Sequence, residues 1–121
     1  MKLKTVFIAH AVTEVIFGLS FLLVPGVLLG VLGTSTDATG LALSHIAGAV
    51  ILSLAIISWL ARDVPAGKLR DAMVWSFALA HAAAGIVVAL AVWAGTFNWL
   101  GWPAAALDVI FVLAADGASC A

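Results

Sequence analysis

Three stretches of this chain, Thr5 to Val24, Leu41 to Ala61 and Ala72 to Ala94, are long and apolar, and Glu14 is the only formally charged residue in them. A helix rises 1.5 Å per residue, so about 20 residues cross roughly 30 Å of hydrocarbon. All three runs meet that length. A fourth run starts at Pro103 and meets it only by using nearly the whole tail, Asp116 and Ser119 included. A bilayer offers backbone groups no water, and the chain has too few alternating segments to close a barrel, so the runs must be helices. The expected fold is all-α: a four-helix transmembrane bundle, one integral membrane domain over residues 1–121, with spans near 5–24, 41–61, 72–94 and 103–120. Pro25 should end or kink the first helix, and the segment after it should lie as a short piece at the interface. Pro103 suits a first helical turn, where its missing N–H is not needed.

Composition points the same way. The chain is 65% hydrophobic and 9% charged, whereas soluble domains are about a quarter charged. No globular core of this size could hide so much apolar side chain from water, so the bilayer itself is the main partner. A net charge of −1 leaves no basic surface for nucleic acid. The single cysteine, Cys120, excludes an internal disulfide or a cysteine-built zinc site. Tyrosine is absent, which removes a tyrosine acid or nucleophile.

The cations set an orientation. Lys2 and Lys4 open the chain, and Arg62, Lys68 and Arg70 lie between the second and third runs. With four spans these places share one side, and the preference of positive loops for the cytoplasm puts both termini there. Trp59 and Trp75 fall near the cytoplasmic ends. Trp93, Trp99 and Trp102 cluster at the outer ends, where indoles favour the interface. The first run is too long for a typical cleaved signal sequence.

Depth then sorts the polar residues. At about 1.5 Å per residue, His10 lies roughly 9 Å, Glu14 roughly 15 Å and His81 roughly 14 Å from the cytoplasmic face. His45 and Asp108 fall about 6 and 8 Å in from the outer side. His10 and Glu14 share a helix face by their spacing of four. An ionised group at the bilayer centre costs about 2.5–3.5 kcal/mol even on mild scales, so these side chains should turn toward the bundle axis and pair. Glu14, His81, His10 and Asp108 are the candidate catalytic residues, with Glu14 resting protonated and exchanging a proton with a histidine. His45, Asn98 and Trp102 are the candidate ligand-binding residues. No HxxxH or ExxH spacing supports a metal, so none is assigned; haem between two histidines is equally unsupported, and the cofactor is left open. Against this stands a plainer reading: the histidines are interhelical hydrogen-bond glue, worth on the order of 0.6 kcal/mol each. Gly48 and Gly85 share faces with His45 and His81, and should let the second and third spans touch.

The segments "GLSFLLVPGVLLGVLG", "IAGAVILSLAIISWLARD" and "NWLGWPAAALDVIFVLA" resemble the small four-helix DoxX-like membrane proteins of bacteria. The likeness is a glycine-to-proline ending of helix one, a Gly-Ala start to helix two and a Gly-Trp entry to helix four. It implies the four-span topology and a bacterial inner membrane. DoxX itself is associated with a thiosulfate:quinone oxidoreductase, but most DoxX-like proteins have no assigned activity, and no catalytic motif carries over. Three function classes follow. The first is a polar intramembrane pocket that handles a lipophilic small molecule (quinone, terpenoid or lipid) by acid–base chemistry. The second is an accessory or assembly subunit of a larger membrane complex, with a homo-oligomer or a membrane partner. The third is a proton-coupled carrier, for which four short helices leave little room. The residues leave open whether the protein is an enzyme.

Overall fold

The computed structural model describes residues 2–119, and their side chains as far as Ala115. Cys120 and the Asp116 and Ser119 side chains lie outside it. Among the described residues all regular structure is helical: α1 (Leu3–Leu23), α2 (Pro25–Val31), α3 (Ala38–Ala61), α4 (Lys68–Trp93) and α5 (Gly101–Ser119). Helices α1, α3 and α4, at 21, 24 and 26 residues, are long and apolar enough to cross a membrane. The described apolar part of α5, Gly101–Ala115, is shorter.

Local chemistry explains the boundaries. Val24 breaks from helical geometry just before Pro25, and Pro25 then occupies the first turn of α2. The Asp37 carboxylate accepts from the Gly40 N–H at 2.8 Å and caps α3. This cap draws Thr39 and Gly40 into the helix, so α3 begins before the apolar run does. Helix α4 likewise begins in the charged segment, with Asp71 in its first turn near the positive end of the helix dipole.

Two antiparallel pairs make up the molecule. In the first, α1 lies against α3: Lys4 meets Asp63 at 2.6 Å, His10 meets Ser58 at 2.7 Å, and the His45 ring meets the Leu22 carbonyl at 2.7 Å. The helices cross where glycines face each other. A Cβ on Gly48 would fall on the backbone of Gly18 and Leu22. In the second pair, α4 lies against α5, with Gly85 beside Ala105 and Asp108, and Gly101 beside Val88 and Val92. Side chains join the pairs. Phe7 of α1 packs edge-on against Phe77 of α4 at 5.9 Å between centroids, in an apolar cluster with Ala61, Val74, Ala78 and Ala115.

This corrects one expectation. Gly48 and Gly85 do not bring α3 and α4 together; each serves its own pair, Gly48 against α1 and Gly85 against α5. Facing a glycine identifies a close approach but not the partner. Between α3 and α4 a groove of about 270 Å³ remains, lined by Leu54, Ile57, Met73, Ser76, Phe77 and Ala80.

Burial is inverted relative to a water-soluble protein. Ser58, His10 and Glu14 are 0%, 3% and 7% exposed, while Ile16, Leu60, Leu79 and Ile86 are each more than 60% exposed. The antiparallel order also gathers all five cations at one end, where Lys4 reaches the loop that follows α3.

Candidate functional site: a buried histidine–carboxylate chain

Four helices each deliver a polar side chain to one point. His10 and Glu14 come from adjacent turns of α1, Ser58 from α3, His81 from α4 and Asp108 from α5. The His10 and His81 Nε2 atoms are 2.6 Å apart. Ser58 Oγ lies 2.7 Å from His10 Nδ1, and Asp108 Oδ1 lies 2.6 Å from His81 Nδ1. All three are hydrogen-bond distances. With Asp108 as a carboxylate and both imidazoles neutral, one assignment of protons satisfies the chain. The His81 Nδ1–H donates to Asp108, the His10 Nε2–H donates to His81 Nε2, and the Ser58 hydroxyl donates to His10 Nδ1. Every bond points the same way, from Ser58 toward Asp108.

Glu14 sits beside this chain. Its Oε1 lies 3.7 Å from His10 Nε2 and 3.6 Å from His81 Nε2. Those distances exceed a hydrogen bond, so the carboxyl group faces both nitrogens without bonding either. Aromatic rings hold the imidazoles in place: Phe77 stacks on His10 at 4.7 Å, and Phe111 stacks on His81 at 5.0 Å. Beneath the rings lies a small apolar cavity of about 20 Å³, bordered by Val6, Phe7, His10, Phe77, His81 and Phe111. It has room for one water at most.

The four candidate catalytic residues thus come together. Asp108 does so differently from its expected match with His45 on the outer side. Helix α5 begins at Gly101, before Pro103, beside the last turns of α4 at Val88 and Val92, and Asp108 lies about two turns further in, beside Gly85 and His81. His45 stays on α3, exposed, with its Nδ1 at the Leu22 carbonyl. Asn98 is a clasp at the end opposite the cations: its side-chain amide donates to the Val31 carbonyl at 2.9 Å, and its backbone N–H donates to the Leu32 carbonyl at 2.8 Å. Trp102 is 46% exposed near the start of α5. The structure therefore does not bring His45, Asn98 and Trp102 to the buried chain.

Sequence reasoning missed Ser58, Phe77 and Phe111. Nothing sets Ser58 apart from its neighbour Ser53, whose hydroxyl bonds its own helix at Val50. The α1–α3 register, seen in Lys4 with Asp63 and His45 with Leu22, sets Ser58 level with His10. A cross-helix donor set is equally invisible to a search for spacings within one helix. His10, Glu14 and His81 place three donor atoms within 4.8 Å of one another.

Comparison with curated proteins and with solved structures returns no match. Residues 8–117, which hold every member of the buried chain, match the family described as Domain of unknown function (DUF8292). The match covers nearly the whole length, and the chain belongs to the DUF8292 family.

Proposed function

We propose that this is a four-span integral membrane protein of the bacterial inner membrane, with both termini cytoplasmic, and that its buried chain performs acid–base chemistry on a lipophilic small molecule. The inverted burial and the confinement of the five cations to one end support the topology. So do the exposed Trp75 and Trp93, about 27 Å apart along α4, close to a hydrocarbon thickness. The resemblance of its segments to DoxX-like proteins belongs to this proposal.

The observation that carries the chemistry is the connected chain from Ser58 through His10 and His81 to Asp108, with Glu14 facing its centre. Hydrogen-bond glue needs only pairs. A connected chain with a carboxyl group at its middle can accept a proton at one atom and release it at another. Access comes from the side. The groove between α3 and α4 approaches the lower end of small-molecule sites, about 300–1,000 Å³. Phe77 lines it and presents its ring to His10. A lipophile entering from the bilayer would stand one aromatic ring away from the chain.

Native mass spectrometry of gently solubilised protein tests this reading. The expected result is a lipophilic adduct on the wild type that is lost when Ala80→Trp fills the groove. Bare protein mass in both, under conditions that retain annular lipid, contradicts it.

A further inference from the structure

We propose that His10, Glu14 and His81 bind a divalent first-row transition-metal ion inside the bundle, with Ser58 and Asp108 orienting the two histidines. The inference concerns the metal-loaded state of the same cluster, in which bonds to the ion replace the His10–His81 hydrogen bond, and it rests on the proposed membrane placement for the charge argument.

Three features point to a metal rather than to hydrogen bonding alone. The first is convergence. Both Nε2 atoms and Glu14 Oε1 face one point from two helices, separated by 2.6, 3.6 and 3.7 Å. A tetrahedral ion with bonds of about 2.0–2.1 Å separates its donors by roughly 3.3 Å. The carboxylate already stands near that distance. The two imidazoles must part by about 0.7 Å to reach it, and the cavity bordered by both rings gives them somewhere to go.

The second feature is the outer partners. A ligating histidine nearly always donates its other ring N–H to a carboxylate, carbonyl or water, which fixes the ring and raises its basicity. His81 has this arrangement with Asp108 at 2.6 Å. Ser58 does the same for the second ring: its hydroxyl, 2.7 Å from His10 Nδ1, accepts the N–H once Nε2 turns to the ion.

The third feature is charge. Two neutral imidazoles and the carboxylates of Glu14 and Asp108 carry two negative charges, which a divalent ion cancels. A neutral assembly is the least costly way to keep two carboxylates in a low-dielectric site. A monovalent ion leaves one negative charge and a trivalent ion one positive. Two nitrogens and one carboxylate oxygen also match the borderline ions zinc, iron(II) and cobalt(II) better than magnesium or calcium, which prefer all-oxygen shells. Three protein donors leave a fourth position for solvent or for an oxygen of the lipophilic substrate.

The test uses full-length protein in mild detergent, stripped with chelator and titrated with Co²⁺. Tetrahedral cobalt gives strong visible d–d bands. The wild type should develop them, saturating at one ion per chain, and added Zn²⁺ should bleach them. His81→Ala should lose the bands, and Glu14→Gln should lose or markedly alter them. Asp108→Asn should retain them with affinity about 10- to 100-fold weaker, the usual effect of losing an outer partner. Circular dichroism on each variant separates lost binding from lost fold. No bands in the folded wild type would overturn the proposal, as would unchanged bands in folded His81→Ala. Neither result touches the lipophile adduct in native mass spectra, so the two readings fail separately.

Discussion

Ser58 is fully buried, yet it is small and polar, and that combination defines what a residue does in this interior. Its hydroxyl has one task, the bond to His10 Nδ1. Interhelical bonds in membranes average about 0.6 kcal/mol because the separated helices find other partners. Ser58→Ala should exceed that average, at about 1 kcal/mol, because it strands a ring nitrogen where no solvent reaches. Denaturation in detergent measures this, and an unchanged midpoint contradicts the chain. The Lys4–Asp63 pair makes the opposite case. Both side chains are more than half exposed, and the hydrogen bond from Lys4 holds the Asp63 carboxyl below its ordinary range, aided by Arg62. A depressed carboxyl contributes stability above its unfolded-state pKa and loses it as pH falls through the folded one. The exposure keeps that contribution small. Asp63→Asn should therefore leave the neutral-pH melting temperature nearly unchanged and slightly flatten its fall at acid pH. A large loss at neutral pH would mean that the pair anchors the helices.

At the scale of elements, glycines decide which helices touch. Gly48 opposes backbone and Gly85 opposes a side chain. A Cβ on Gly48 would overlap Gly18 and Leu22 main chain, which cannot yield without separating α1 from α3. A Cβ on Gly85 would meet the Asp108 Cβ at 3.1 Å, a milder contact that α5 relieves by moving a few tenths of an ångström. Gly48→Ala should thus destabilise by about 1–3 kcal/mol and Gly85→Ala by clearly less, while the latter disturbs the Asp108–His81 bond. Equal effects in thermal melts would contradict the assigned pairs. The sequence made the helices legible because long apolar runs have no other structure in lipid. It also made Glu14, His10 and His81 legible, because depth along a helix follows from counting residues. Asp108 and Ser58 were harder to place. Their levels depend on where α5 enters and on how α3 aligns with α1, and both are set by loop paths such as the Asn98 clasp at Val31 and Leu32.

At the scale of the molecule, two helix pairs share one polar centre. The α1–α3 pair contributes His10, Glu14 and Ser58, and the α4–α5 pair contributes His81 and Asp108. The hydrogen bond between the two imidazoles links one pair to the other, beside the apolar contact of Phe7 with Phe77. Topology belongs to this scale as well. In the proposed orientation, a membrane-impermeant maleimide applied to intact cells should leave Cys120 unlabelled, and prompt labelling in sealed cells would reverse the orientation. The account turns most directly on the imidazole pair itself. In metal-free protein with ¹⁵N-labelled histidine and His45→Gln removing the third ring, an N–H···N bond transmits a scalar coupling between the two Nε2 nuclei. The account predicts that this coupling is observed in the His45→Gln chain and is weakened by adding Asp108→Asn, whose amide cannot hold His81 as the carboxylate does. Two uncoupled imidazoles that exchange freely with solvent would contradict it.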